Sequence, residues 1–283
     1  MYPDLHGKVA IVTGAGRRGG LGAAIARKLA EDGVRLVLHD LGAPKGEMAP
    51  EHGIGAASEL EAIAGDLRAL GTDVVTHTAD MRMEAEVEAL VARAAEAFGR
   101  LDILVNNAGV GYLFSPFTDA TEEKWDTVLD VNLRGAFFAM KHAVRQMLAQ
   151  EEAECWGRGK IVSVGSRGSK SGSALTSSYI ASKHGLVGLT RAVAIELGPQ
   201  QINVNMVCPN HVTTGLGAWQ NEYIASMRGQ SLDEYMDAMR GRIPLGRVGT
   251  PEDTANACAF LCSAQARYIT GEAMNVSGGE EMH

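Results

Sequence analysis

Lys8-Val9-Ala10-Ile11-Val12-Thr13-Gly14-Ala15-Gly16-Arg17-Arg18-Gly19-Gly20-Leu21-Gly22 is an apolar run that breaks into glycines and then enters a helical pattern. The Val, Ala and Ile residues of Lys8 to Thr13, bounded by glycine, read as a buried strand. From Leu21 to Asp32, residues Leu21, Ile25 and Leu29 fall on one stripe, and Gly33 supplies a C-terminal cap. Glycines between a strand and a helix let the backbone approach a pyrophosphate, and the helix N-terminus adds aligned N–H groups and a favourable dipole. Glycine clusters are common in surface loops, so the position directly after the first strand is what carries the meaning. Gly14 and Gly20 are separated by five residues, which is not simply Gly-x-Gly-x-x-Gly; the task falls to the loop as a whole.

Outward from this unit the pattern repeats. Apolar runs recur at Arg35 to Asp40, Asp73 to His77, Leu101 to Asn106, Lys160 to Val164, Asn203 to Cys208 and Ala273 to Val276. Helical periodicity fills the intervals at about Ala56 to Leu70, Met83 to Phe98, Thr121 to Ala149, Ser177 to Leu197 and Pro251 to Ser263, the last with Thr250 as cap. Strand and helix in alternation predict an α/β fold, a doubly wound parallel seven-stranded sheet with helices on both faces, in a single domain. Three segments depart from the pattern. Leu41 to Gly55 is rich in Pro and Gly, Gln150 to Gly159 is polar around Trp156, and Val212 to Arg242 is long and carries Trp219, Tyr223, Tyr235 and several methionines. The last reads as a flap over a substrate.

Bulk properties remove several function classes. The 283 residues carry 26 basic and 34 acidic side chains, a net charge of -8, which opposes a sequence-independent grip on nucleic acid or anionic lipid. No apolar stretch approaches the ~20 residues of a membrane span, and Met1 to Gly7 does not resemble a secretion signal, so a cytoplasmic location is expected. Cys155, Cys208, Cys258 and Cys262 are too scattered for a disulfide framework and read as free buried thiols; no residue set suggests a metal site.

The second strand ends at Asp40, where an adenosine ribose lies in a doubly wound sheet. A carboxylate there accepts hydrogen bonds from ribose hydroxyls and repels a 2'-phosphate, favouring NAD over NADP. Arg17 and Arg18 act in the other direction if they reach a 2'-phosphate; their alternatives are the pyrophosphate or solvent. Asp80, closing the third strand, suits the adenine amino group, or else simply caps a helix.

Tyr179 and Lys183 stand four residues apart, which stacks a phenol and an ammonium on one helix face. A neighbouring cation favours phenolate and brings the hydroxyl nearer to working pH, where it can exchange a proton with a carbonyl or carbinol oxygen. Tyr-x-x-x-Lys is common by chance, and a surface pair with snorkelling side chains is the bland alternative.

Together, the glycine loop, Asn106-Asn107-Ala108-Gly109, Asn132, Ser166 and Tyr179/Lys183 resemble the short-chain dehydrogenases/reductases. The resemblance runs from Lys8 to Gly279 and takes in Arg242 to Glu252 and Asn275 to Gly279. It implies a Rossmann-like sheet, Tyr179 as catalytic acid/base, Lys183 lowering its pKa and holding the nicotinamide ribose, Ser166 on the substrate oxygen, and Asn132 holding a water that links Lys183 to solvent. It implies a cofactor site of Gly14, Arg17, Arg18, Gly20, Leu21, Asp40, Asp80, Met81, Asn106, Ala108, Gly109, Tyr179, Lys183, Pro209, Val212 and Thr214. It also implies a homotetramer joined through the helices at Thr121 to Ala149 and Ser177 to Leu197, whose apolar faces include Leu186, Leu189, Val193 and Leu197. Two departures stand out. The glycine loop has the length of related enoyl reductases, although the Tyr179/Lys183 spacing is that of the alcohol dehydrogenases. Pro209-Asn210 replaces the usual Pro-Gly beside the nicotinamide.

The expected reaction is therefore NAD-dependent interconversion of a secondary alcohol and a ketone. Arg167, Ser169, Lys170, Ser171, Ser173, Asn210 and His211 suit a sugar, polyol or hydroxy acid, unless they face solvent. The rivals are an NADPH-dependent carbonyl reductase acting on an aromatic or acyl substrate beneath Trp219, Tyr223 and the methionines, and a non-catalytic dinucleotide-sensing protein.

Overall fold

Every apolar run becomes a strand, and all seven join one parallel sheet. The structure is a computed structural model that describes residues 2–48, 55–111 and 113–283, so part of the Leu41 to Gly55 segment lies outside the described residues. The strands are β1 (Val9–Thr13), β2 (Arg35–Asp40), β3 (Val74–Thr78), β4 (Ile103–Asn106), β5 (Gly159–Val164), β6 (Ile202–Pro209) and β7 (Ala273–Val276). Their spatial order is β3-β2-β1-β4-β5-β6-β7, so the winding reverses between β1 and β4. In such sheets a crevice opens outside the carboxyl ends of the strands at the reversal.

The helices are α1 (Leu21–Glu31), α2 (Ala57–Arg68), α3 (Glu84–Phe98), α4 (Glu122–Leu129), α5 (Gly135–Leu148), α6 (Ser177–Leu197), α7 (Gly215–Met227), α8 (Leu232–Arg242) and α9 (Pro251–Cys262). Period-two alternation assigns each strand residue to a layer. Ala10 and Val12 of β1 face the core built with Ile25, Leu29, Leu60 and Cys258, from α1, α2 and α9. Val9 and Ile11 face the opposite core, with Leu90, Ala139 and Leu186 from α3, α5 and α6. Two-sided burial accounts for the absence of polar alternation in these strands.

Three features differ from the sequence-based expectations. The helix expected over Thr121 to Ala149 is divided: α4 and α5 are joined by a π-helical stretch, Asp130–Arg134. One-turn π insertions redirect a side chain, and this one turns Asn132 inward to 1 % exposure. Leu186 and Leu197, expected on a subunit contact, are buried in the chain's own core, and Leu189 and Val193 pack partly against it. The sheet claims the apolar face of α6; Ile195 is the large apolar residue it leaves exposed. Cys155, expected to be buried, is exposed, because it sits on the polar Gln150 to Gly159 segment; all four cysteines are free. That segment is anchored by Trp156, which is buried with Lys8 Nζ 4.2 Å and Lys160 Nζ 5.2 Å from its ring centre.

The Val212 to Arg242 segment forms α7 and α8. Thr214 caps α7, Ser231 and Glu234 form a capping box on α8, and Ala225, Tyr235, Met239 and Ile243 make a small core of their own. No described helix is long and apolar enough to cross a membrane.

At the reversal, the turn after β4 closes on the glycine loop. Asn107 Nδ2 donates to the carbonyls of Thr13 (2.8 Å) and Gly14 (2.9 Å), while Thr13 Oγ1 accepts from the N–H groups of Asn107 and Ala108, both at 3.0 Å. A Cβ at Gly22 would lie 2.3 Å from the Gly14 oxygen and 2.6 Å from Asn107 Nδ2. Gly22→Ala is therefore expected to lower unfolding free energy by about 1–3 kcal/mol. Gly65→Ala, on the exposed face of α2 with nothing within 4 Å, is expected to raise it by about 0.5–1 kcal/mol. Urea unfolding of both variants checks the contrast; a neutral Gly22→Ala contradicts the close approach.

Candidate active site

Two cavities open at the carboxyl edge of the sheet. The first, of about 290 Å³, runs from Asp40 and Asp80 past the glycine loop to Tyr179 and Lys183. The second, of about 530 Å³, lies under α7 and α8. They share Leu21, Gly111, Gly165, Tyr179, Thr214 and Gln220, so the phenol stands at their junction.

The first cavity has the features of a dinucleotide cradle. Gly20, at the cap position of α1, has no side chain to satisfy the first-turn N–H groups, which leaves them for an anion. Asp40 is held beneath the loop: its Oδ2 accepts from Gly16 N–H at 2.7 Å and its Oδ1 from Leu41 N–H at 2.8 Å. Asp80 is 3 % exposed and does not cap α3, whose cap residue is Met83. It is gripped by Arg82, with Nε at 3.0 Å and Nη2 at 2.7 Å, and Lys45 lies 3.7 Å away. Burial raises the Asp80 pKa, but the Arg82 hydrogen bonds outweigh it and hold the carboxyl below its ordinary value.

Gly14, Arg17, Gly20, Leu21, Asp40, Asp80, Met81, Ala108, Gly109, Tyr179, Lys183 and Thr214 all line this cavity. Four of the expected residues do not. Arg18 turns outward, its side chain 2.5 Å from Asp66 and its N–H 2.8 Å from Glu59, because α2 offers two carboxylates there. Asn106 points into a small void behind the cavity, and its neighbour Asn107 faces forward in its place. Pro209 and Val212 line the second cavity.

At the junction, Lys183 is 5 % exposed, donates to the Val164 carbonyl at 2.8 Å and lies 5.7 Å from the centre of the Tyr179 ring. Burial pushes its pKa down to about 8. Burial also pushes the Tyr179 hydroxyl up, and a hydrogen bond with Ser166 draws it part of the way back. The expected lowering by Lys183 is thus reversed in the chain alone. Desolvation disfavours both charged forms and is the largest influence on each. Ser166 caps a short turn, Arg167–Ser169, in which its Oγ accepts from Gly168 N–H at 3.0 Å.

Asn132 is engaged by backbone. Its Oδ1 accepts from Val110 N–H at 2.7 Å, and its Nδ2 donates to the Val110 carbonyl at 3.0 Å and to Ser182 Oγ at 3.1 Å. It pins the loop after β4 while keeping one Oδ1 lone pair for a further donor. Sequence reasoning missed Val110 and the Val164 carbonyl, since backbone partners carry no residue signature, and Ser182, whose Oγ meets Asn132 from fifty residues away. It also missed Gln220, which donates to the Gly111 carbonyl at 2.5 Å and ties α7 across the junction. Arg82, two residues from Asp80, was findable as a local pair.

A family model described as enoyl-(acyl carrier protein) reductase matches residues 14–281. A short-chain dehydrogenase/reductase of Armillaria gallica is 38% identical over 274 residues, covering 97% of this chain and 96% of that protein. An L-rhamnose 1-dehydrogenase (NAD(P)(+)) of Azotobacter vinelandii is 37% identical over 272 residues, with 96% of each covered. The crystal structure of carveol dehydrogenase from Mycobacterium avium in complex with NAD superimposes with a TM-score of 0.89 at 31% identity, over 98% of both chains.

Lys183 provides a test of the burial just described. A base whose pKa falls to about 8 on folding holds fewer protons folded than unfolded between pH 8 and its ordinary value of 10.5. The buried charge is thus a cost below pH 8, relieved as pH rises through that window. Lys183→Met is expected to unfold about 1–3 kcal/mol less readily than the parent at pH 7, with the advantage shrinking toward pH 10.5. Chemical unfolding across pH checks this; a pH-independent difference contradicts it.

Proposed function

The chain is an oxidoreductase of the short-chain dehydrogenase/reductase family, and from that premise we propose that it interconverts a secondary alcohol and a ketone, with NAD preferred and Tyr179 as acid/base. The observation that carries this reading is the position of Tyr179 where the two cavities meet, bonded to Ser166 and beside Lys183.

When bound, the nicotinamide supplies the hydride acceptor or donor. The chain's own residues manage the proton. In the oxidative direction Tyr179, as the phenolate, would take the proton of the substrate hydroxyl as hydride leaves the carbinol carbon for the bound nicotinamide, and Ser166 would hold the oxygen through the change in its charge. Lys183, with a pKa of about 8, sits within reach of exchange at working pH and lies beside Gly109, close to the Asn132 amide. Together they give the phenol a route for returning its proton.

The preference for NAD is supported by Asp40, whose carboxylate fixed under the loop repels a 2'-phosphate, and by Arg18, which is engaged with Asp66. Arg17 lines the cavity and favours the opposite choice. The polar wall of the second cavity, including Ser171 and Ser173, suits a hydroxylated substrate: a sugar, polyol or hydroxy acid. A second reading, an NADPH-dependent reductase of an aromatic or acyl ketone, is favoured by the mutually stacked rings of Phe114, Trp219 and Tyr223, with centres 5.4–6.0 Å apart. We place the protein in the cytoplasm as a homotetramer, with Phe137 of α5 and Ile195 of α6 among the apolar side chains left for subunit contact.

Tyr179→Phe is expected to keep NADH binding, followed by nicotinamide fluorescence, and to lose about 10²–10⁴ in turnover across a panel of polyols, hydroxy acids and aryl alcohols. Turnover near that of the parent contradicts the assignment. Asp40→Ala is expected to narrow the NAD:NADP ratio of kcat/KM; an unchanged ratio removes Asp40 from cofactor selection.

A further inference from the structure

The second cavity has two unlike walls. Phe114, Tyr223, Ile224, Met227 and Met236 present an apolar face, supplied by α7, α8 and the segment after β4. Arg167, Arg228 and Arg242 also line it, and among its described lining residues there is no Asp or Glu. That is a large local departure for a chain whose net charge is -8. A cavity with charge of one sign on low-dielectric walls concentrates the opposite ion.

Arg167 and Arg242 share one carboxylate. Glu280, whose side chain is 10% exposed, places Oε1 3.7 Å from Arg167 and 3.3 Å from Arg242, while its Oε2 is taken by the Asn210 amide. Both arginine contacts are longer than the ~2.7–2.9 Å of a fully formed charge-assisted bond. Two guanidiniums against one carboxylate leave unspent donors and a net positive charge. The arginines come from segments remote in sequence, Arg167 directly after Ser166 and Arg242 from the last turn of α8. His211, which feels both arginines and Glu280, is held neutral, its pKa pushed down to about 4 mainly by burial. Its Nε2 and the Asn210 Oδ1 are buried without a partner.

We propose that the substrate is an amphipathic hydroxy or oxo acid: Arg167 and Arg242 bind its carboxylate, and the flap covers an apolar body reaching toward Tyr179. This rests on the dehydrogenase reading and narrows its substrate from the wider polar set. Sugars and polyols lack the anion, and neutral apolar ketones leave the guanidiniums unmatched. Glu280 serves as the internal carboxylate that holds the arginines in place until substrate arrives. Substrate need displace only Glu280 Oε1 from its 3.7 and 3.3 Å arginine contacts, while Oε2 keeps its bond to the Asn210 amide.

The test uses octanoate and its methyl ester as dead-end ligands, titrated by calorimetry into the full chain with NADH present. Octanoate is expected to bind at least about tenfold more tightly than the ester, the size of one charge-assisted contact. Arg167→Gln and Arg242→Gln are each expected to erase most of that preference. Glu280→Gln is expected to tighten octanoate severalfold, because it removes the internal competitor; a merely structural role for this cluster would weaken binding in all three variants. Equal affinity for acid and ester, no octanoate binding, a preference that survives both arginine substitutions, or weaker binding in Glu280→Gln overturns the proposal. Failure of the underlying dehydrogenase reading is distinguishable: NADH would not bind, or no alcohol in the panel would be oxidised, whatever the octanoate titrations give.

Discussion

The closure of the glycine loop onto the turn after β4 is the contact on which the rest of the site depends. Thr13 and Asn107 exchange hydrogen bonds across the point where the sheet reverses, and Gly14 and Gly22 permit the approach because neither carries a Cβ. This closure joins the loop before α1 to the turn after β4, and both line the cavity that runs from Asp40 to Lys183. A looser contact would widen the crevice and detach the phenol from the cradle it serves. The same logic holds across the junction, where Asn132 pins Val110 and Gln220 grips the Gly111 carbonyl. Backbone atoms, not side-chain pairs, bear most of this assembly.

The electrostatics of the junction follow from burial. Tyr179 and Lys183 are each driven toward neutrality, the phenol upward and the amine downward, chiefly because both are removed from water. A proton carrier needs two forms of comparable stability, and a lysine near 8 supplies one of them. Folding therefore carries an electrostatic cost at neutral pH, a common trade at sites whose residues are strained or desolvated, and one that fits the proposed chemistry. The second cavity applies the opposite rule, gathering positive charge within an acidic chain and balancing part of it internally with Glu280.

Much of the fold was legible because strand burial leaves an unmixed apolar run and helices leave a stripe: Val9 to Thr13 and the Ile25/Leu29 pair needed no tertiary information. The candidate site was legible where the proposed chemistry sits in the side chain, as at Tyr179, Lys183, Ser166 and Asp40, all of which line the two cavities. It was illegible where position depends on a local irregularity or a distant partner. The π turn at Asp130–Arg134 has no composition signal, although it decides where Asn132 points. Arg18 looked equivalent to Arg17 until α2 placed Asp66 beside it. Leu186 read as an interface residue because apolarity does not say which surface covers it. The Arg167, Arg242 and Glu280 cluster joins three segments remote in sequence, so no spacing rule reveals it.

The measurement that bears most directly on the central claim is a crystal structure of the chain with NAD bound. The account predicts the nicotinamide ring at the junction of the two cavities, with the Tyr179 hydroxyl within hydrogen-bond reach, about 3 Å or one water, of a substrate oxygen placed beside it. A ring seated elsewhere, or a phenol turned away from it, would contradict the account.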